Sequence, residues 1–170
     1  MKKIFAIAAL AATVVPAFAQ SPVLGSTGLS ARVGAFFPTH TTARNFSKTW
    51  FAAGVQYKGG DLVNGPFNGR VTASYAFSVD YIQRADFRIV PVMVNYVGEV
   101  DKLFFTAGVG VAFTRFPIAG GTDDKARFAY TLGAGYNVKV GTVPAFVEGK
   151  FWGNEKSEAN GFGLYAGVRF

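Results

Sequence analysis

The stretch Phe67-Asn68-Gly69-Arg70-Val71-Thr72-Ala73-Ser74-Tyr75-Ala76-Phe77-Ser78 decides the fold. Its odd positions carry Phe67, Gly69, Val71, Ala73, Tyr75 and Phe77. Its even positions carry Asn68, Arg70, Thr72, Ser74, Ala76 and Ser78. Successive side chains of a strand point to opposite faces, so this segment has one apolar side and one polar side. A helix would need apolar residues three and four apart, and that period is absent.

The same alternation recurs outward in both directions. It predicts strands over Thr27 to Phe37, Trp50 to Lys58, Phe67 to Ser78, Arg84 to Val97, Leu103 to Phe116, Arg127 to Lys139, Val143 to Trp152 and Gly161 to Phe170. Arg84 to Val97 is apolar on both faces near Ile89 to Val94 and contains Pro91, so its parity stays open. Strands of about ten residues suit a small transmembrane barrel. Pro38 to Thr49, Pro117 to Ala126 and Gly153 to Asn160 read as longer polar connections, and Gly98 to Lys102 and Val140 to Thr142 as short turns. Gly59 to Pro66 is long where a tight turn is expected, and Ser78 to Gln83 is brief for an outer loop.

Composition agrees. The 170 residues are half apolar and only 16% charged, with 18 Phe and 21 Gly. A soluble domain carries about 25% charged residues. Such a chain is too hydrophobic for disorder and too rich in Gly, aromatic and β-branched residues for a helical bundle. Without cysteine, neither disulfides nor thiolate metal sites are available. Lys2 and Lys3, the uncharged run Ile4 to Val15 and Ala17-Phe18-Ala19 have the layout of a secretory signal. The run is shorter than the roughly 20 residues of a membrane helix. Residues 1–19 are therefore expected to be a cleaved signal peptide and residues 20–170 a single barrel domain.

An alternating strand does not say which face looks outward. A soluble lipocalin-like ligand carrier would enclose its apolar faces. Here the polar faces are mostly Gly, Ala, Ser and Thr, poor material for a solvated exterior and suited to a narrow lumen. The apolar faces carry aromatics near strand ends, as membrane girdles do. The expected fold is an all-β, eight-stranded antiparallel up-and-down transmembrane barrel, with lipid outside and a polar lumen.

The chain ends Tyr165-Ala166-Gly167-Val168-Arg169-Phe170, with Tyr165, Gly167 and Phe170 at the spacing of a barrel insertion signal. With Ala53-Gly54-Val55, Ala107-Gly108-Val109, Ala166-Gly167-Val168 and Pro91 to Tyr96, it resembles the small OmpX/OmpW-like outer-membrane β-barrel proteins. That resemblance implies a Gram-negative-type outer membrane, insertion by the barrel-assembly machinery, and roles in adhesion, envelope integrity or small-solute passage.

Chemistry is thin. His40 is the sole histidine, with no acid and nucleophile set around it as a hydrolase triad requires. Asp123-Asp124 falls short of the six or more oxygens that calcium takes. Gly108-Val109-Gly110 and Gly133-Ala134-Gly135 lack the third glycine and the following helix of a nucleotide loop. The basic charge is too dispersed for a nucleic-acid patch. We expect no catalytic, metal or cofactor site, no nucleic-acid partner, and a monomer in contact with outer-membrane lipid, lipopolysaccharide included. Arg44, Lys48, Lys125 and Lys156 are the loop cations available to lipid phosphates.

By parity Arg32, Gln56, Lys58, Arg70, Asn137, Lys139, Glu148, Lys150 and Arg169 line the lumen. Glu148 is the one carboxylate in that set, and a buried carboxylate needs a cationic partner. A contact with Arg32 or Lys150 is expected. The leading function is a structural or interaction scaffold with a plugged lumen. The alternatives are a narrow pore or lateral conduit for small solutes, and a soluble carrier.

Overall fold

A computed structural model describes residues 28–62, 71–118, 121–155 and 157–170. Eight strands follow one another around a closed barrel: β1 (Leu29–Pro38), β2 (Trp50–Asp61), β3 (Thr72–Arg84), β4 (Phe87–Val100), β5 (Leu103–Ile118), β6 (Gly121–Val140), β7 (Val143–Asn154) and β8 (Gly161–Arg169). Every neighbouring pair is antiparallel, and β1 closes on β8 from Ser30↔Arg169 to Pro38↔Gly161. This is the expected up-and-down barrel. Residues 1–19, Arg70 and Lys156 lie outside the described residues.

Several boundaries differ from the sequence reading. Ser78 to Gln83 is not a loop: β3 runs on to Arg84, and the tight turn is Ala85-Asp86, with Ala85 at a φ of 50°. Pro117 to Ala126 is not a loop either. β5 and β6 continue pairing to Ile118↔Gly121, forming a long hairpin. At the opposite end Gly98 belongs to β4 and the turn is Asp101-Lys102. β2 extends to Asp61 through a register shift between Lys58 and Gly60. The connection after β1 holds a short helix, α1 (Thr41–Phe46), whose first turn His40 caps by accepting from the Thr42 N–H at 3.3 Å. Ala43 of α1 and Ala159 of the 3-10 turn Ser157–Ala159 are buried, so both elements fold over the loop end of the barrel.

Burial alternates strand by strand. On β3 Tyr75, Phe77 and Val79 are exposed, while Ser74, Ala76, Ser78 and Asp80 are buried. The apolar stripes therefore face outward. On β4, the strand of open parity, Ile89, Pro91, Met93 and Asn95 face in and Val92 and Val94 face out. Leu103, Phe105, Val109, Val111 and Phe113 continue the outer belt on β5, and Phe128, Tyr130, Leu132 and Tyr136 on β6. Eight strands leave an interior that side chains can fill.

Candidate functional site

Among the described residues charge, burial and cross-strand geometry converge in the interior, and glycines make the convergence possible. Arg32 of β1, Gly54 of β2 and Asp80 of β3 are successive partners in one cross-strand row. A Cβ on Gly54 would fall on the Asp80 carboxylate. Its absence lets Arg32 reach over β2, where its Nε and Nη2 donate to Asp80 Oδ1 and Oδ2 at 2.8 and 2.7 Å. This is the bidentate fork that gives guanidinium–carboxylate pairs their directionality.

Arg32 Nη1 turns the other way and donates to Glu148 Oε2 of β7 at 3.1 Å. Glu148 Oε1 accepts from the Thr106 hydroxyl at 3.4 Å and lies 3.6 Å from Lys150 Nζ. Gly133 stands between Thr106 and Glu148, where a Cβ would crowd both. The Arg32, Asp80, Glu148 and Lys150 side chains are all 3% exposed or less. Two cations thus face two carboxylates, and the group is neutral as a whole. Lys150 Nζ makes no hydrogen bond but sits 4.9 Å from the Trp152 ring centroid, and the Arg32 guanidinium is 5.5 Å from that of Tyr165. Such cation–π contacts carry part of the buried charge. The Trp152 indole N–H donates to the Tyr165 hydroxyl at 3.1 Å.

Toward the loop end the filling becomes aromatic. Phe36, Trp50, Phe87 and Phe116 form a chain of ring contacts, two tilted and the last edge-on, with centroids 5.7, 5.3 and 5.6 Å apart. Phe46 of α1 packs on Phe87 at 4.7 Å. At the end bearing the termini, Arg169 of β8 crosses the barrel to Glu99 of β4, Nη1 donating to Oε1 at 2.7 Å. It lies over the rings of Phe104 and Phe146, which contact each other edge-on.

Of the residues assigned to the lumen from sequence, Arg32, Glu148 and Lys150 meet in the central cluster. Gln56 lies at its edge, its Oε1 accepting from Arg32 Nη1 at 3.5 Å. Arg169 belongs to the lower closure. Asn137 is half-buried near the Asp101-Lys102 turn, its N–H donating to the Lys102 carbonyl at 2.7 Å. Lys58 pairs with Asp61 at 2.6 Å near that end, and Lys139 is exposed. Tyr165 and Gly167 sit in the lumen wall, Tyr165 inward and buried, and the Phe170 N–H donates to the Leu29 carbonyl at 2.8 Å. Asp80 was missed because the third strand was ended at Ser78. The alternation Val79-Asp80-Tyr81-Ile82 is the signal that finds it. The acids Asp123 and Asp124 of β6 also have partners: Asp123 pairs with Arg127 and Lys125, and Asp124 with Arg115.

No family model matches the sequence, and no curated protein matches it. Three solved structures are similar to the fold. The outer membrane protein Ail of Yersinia pestis in a phospholipid bilayer nanodisc is 14% identical, with a TM-score of 0.48 over 84% of this chain and 98% of that one. The outer membrane enzyme PagL is 18% identical, with a TM-score of 0.49 over 84% and 99%. The N-terminal β-barrel domain of Pseudomonas aeruginosa OprF is 12% identical, with a TM-score of 0.48 over 86% and 99%.

Proposed function

We propose that the protein is an integral outer-membrane barrel that serves as a structural and interaction scaffold, with a sealed lumen and a loop end turned to the exterior. The membrane part of this reading rests on the outer belt. Between Val90 and Val100 on β4, Leu103 and Phe113 on β5, and Ala126 and Val140 on β6, the outward positions carry no charged side chain. An apolar surface of that extent in water would be an aggregation hazard, and a bilayer removes the conflict. The basic, apolar and small-residue layout of residues 1–19 fits export.

The observation that carries the scaffold role is the filling of the lumen. A conduit needs a continuous polar path, whereas here a buried cluster of two cations and two carboxylates lies between an aromatic closure and the Arg169–Glu99 crossing. Opening the loop end means separating packed rings, and opening the centre means unpairing buried charge. The test is conductance of the purified full-length protein in planar bilayers. A sealed scaffold gives no discrete current steps after insertion verified by heat-dependent gel mobility. Reproducible unitary steps overturn the sealed lumen.

A further inference from the structure

The outward face changes character within one row at the loop end. Along β4 the outward residues are Val94, Val92, Val90 and then Arg88. Along β5 they are Val109, Val111, Phe113 and then Arg115. Arg88 and Arg115 are direct cross-strand partners. Like charges placed opposite one another on a sheet repel, so this pair requires a counter-anion. Asp124, the next partner along the row on β6, supplies part of it: Arg115 Nε and Nη2 donate to its two oxygens at 2.7 and 2.8 Å. That fork engages both oxygens, and among the described residues Arg88 forms no ion pair. Two guanidinia therefore share one carboxylate, which leaves one positive charge uncompensated at the upper edge of the apolar belt.

Below the pair lies a shallow apolar trough. Val55, Val79, Val92 and Val111 are successive cross-strand partners, all exposed, and Phe77 and Phe113 rise beside them. From this row the cross-strand partners Val90 and Phe113 continue the outward apolar face to Arg88 and Arg115.

Resting on the membrane reading above, we propose that Arg88 and Arg115 bind the phosphate of an outer-leaflet lipid whose acyl chain lies in this valine trough. The chemistry matches on both sides. Guanidinium groups bind phosphate oxygens through paired N–H donors. A phosphate at this level supplies the charge that Asp124 alone does not, and the trough gives the attached chain a fitted apolar surface. The site differs from Arg44 and Lys48, which lie in the connection after β1, because it sits on the barrel wall, where chain and headgroup can be held together.

Native mass spectrometry of the full-length protein in detergent micelles tests the site with three probes: phosphatidic acid, diacylglycerol with the same chains, and inorganic phosphate. Phosphatidic acid is expected to bind at least about fivefold more tightly than diacylglycerol, the scale of one basic residue at a charged membrane surface. Inorganic phosphate, lacking the chain, is expected not to be retained. Arg88→Gln and Arg115→Gln should each lose about fivefold in affinity for phosphatidic acid, Arg44→Gln should lose none, and Asp124→Asn, which releases Arg115, should gain. Arg88→Lys retains the charge and should keep most of the preference, so the site remains testable if a Gln variant does not fold. Equal retention of phosphatidic acid and diacylglycerol, or unchanged preference in the Arg88 and Arg115 variants, overturns the site. A protein that stays out of micelles altogether removes the membrane reading and the site together; one that enters without phosphate preference removes the site alone.

Discussion

At residue scale the central cluster depends on a side chain that is missing. Gly54 separates Arg32 from Asp80 in their shared row, and any Cβ there meets the Asp80 carboxylate. Gly54→Ala is expected to destabilise the barrel by about 1–3 kcal/mol, the usual cost of overpacking. Asp80→Ala leaves a buried guanidinium with one carboxylate instead of two, and should cost about 3–5 kcal/mol. Because the second change removes the atoms with which the first collides, the double variant should cost less than the sum. Urea unfolding of the four proteins in lipid vesicles measures all three values. Strict additivity would show that Gly54 and Asp80 do not act on each other. At this scale the sequence was partly legible. Arg32, Glu148 and Lys150 declare their faces by period-two parity inside strands. Asp80 follows the same parity, but an acidic residue beside Ser78 reads as the start of a loop.

At the scale of elements, the hairpin of β5 and β6 shows why strand ends are harder to read than strand centres. From Gly121 to Lys125 polar residues occupy both faces, since the hairpin there lies beyond the apolar belt and has no apolar side to mark. Alternation vanishes although pairing continues to Ile118↔Gly121. The same reason places α1 beyond sequence reading: its six residues are too few for a helical period, and only the buried Ala43 shows which side packs. The hairpin is instead held by ion pairs. Hydrogen bonds from Arg115 hold the exposed Asp124 carboxyl below its ordinary value, and Asp124 in turn raises Arg115. A carboxylate depressed on folding contributes stability above its unfolded pKa and loses it as pH falls through the lower folded value. The backbone amide shifts of the hairpin should therefore stay constant from neutral pH down to about 4, the ordinary carboxylate range, and move only below it. Asp124→Asn should lack that acid step. An NMR titration that places the step above the ordinary range reverses the assigned sign. Both side chains of the pair are about half exposed, so salt should weaken it.

For the whole molecule, the orientation of its two surfaces was the most legible property, because it follows from which residue types share a face. Gly, Ala, Ser and Thr are poor material for a solvated exterior, and the exposed Val, Leu, Phe and Tyr side chains share the outward face. The belt predicts a depth-dependent response to charge. Leu132 lies mid-strand on β6 and is 58% exposed, whereas Val140 ends that strand at 67%. In vesicles, Leu132→Arg should cost up to about 2–4 kcal/mol and Val140→Arg about 0–1. Unfolding free energies that are equal at the two positions would remove lipid from the account of this surface.

The bond from Arg32 on the first strand to carboxylates on the third and seventh has a bearing on how the chain reaches its final form. A slip of one residue in any of these strands would turn a charge from the axis onto the apolar outer face. A cylinder with one unjoined edge would leave ionised groups without their distant mates. Misregistered and half-joined assemblies are thereby penalised together. The polar contents thus act as a proofreading device for strand register, and completion and collapse should each occur as one concerted event.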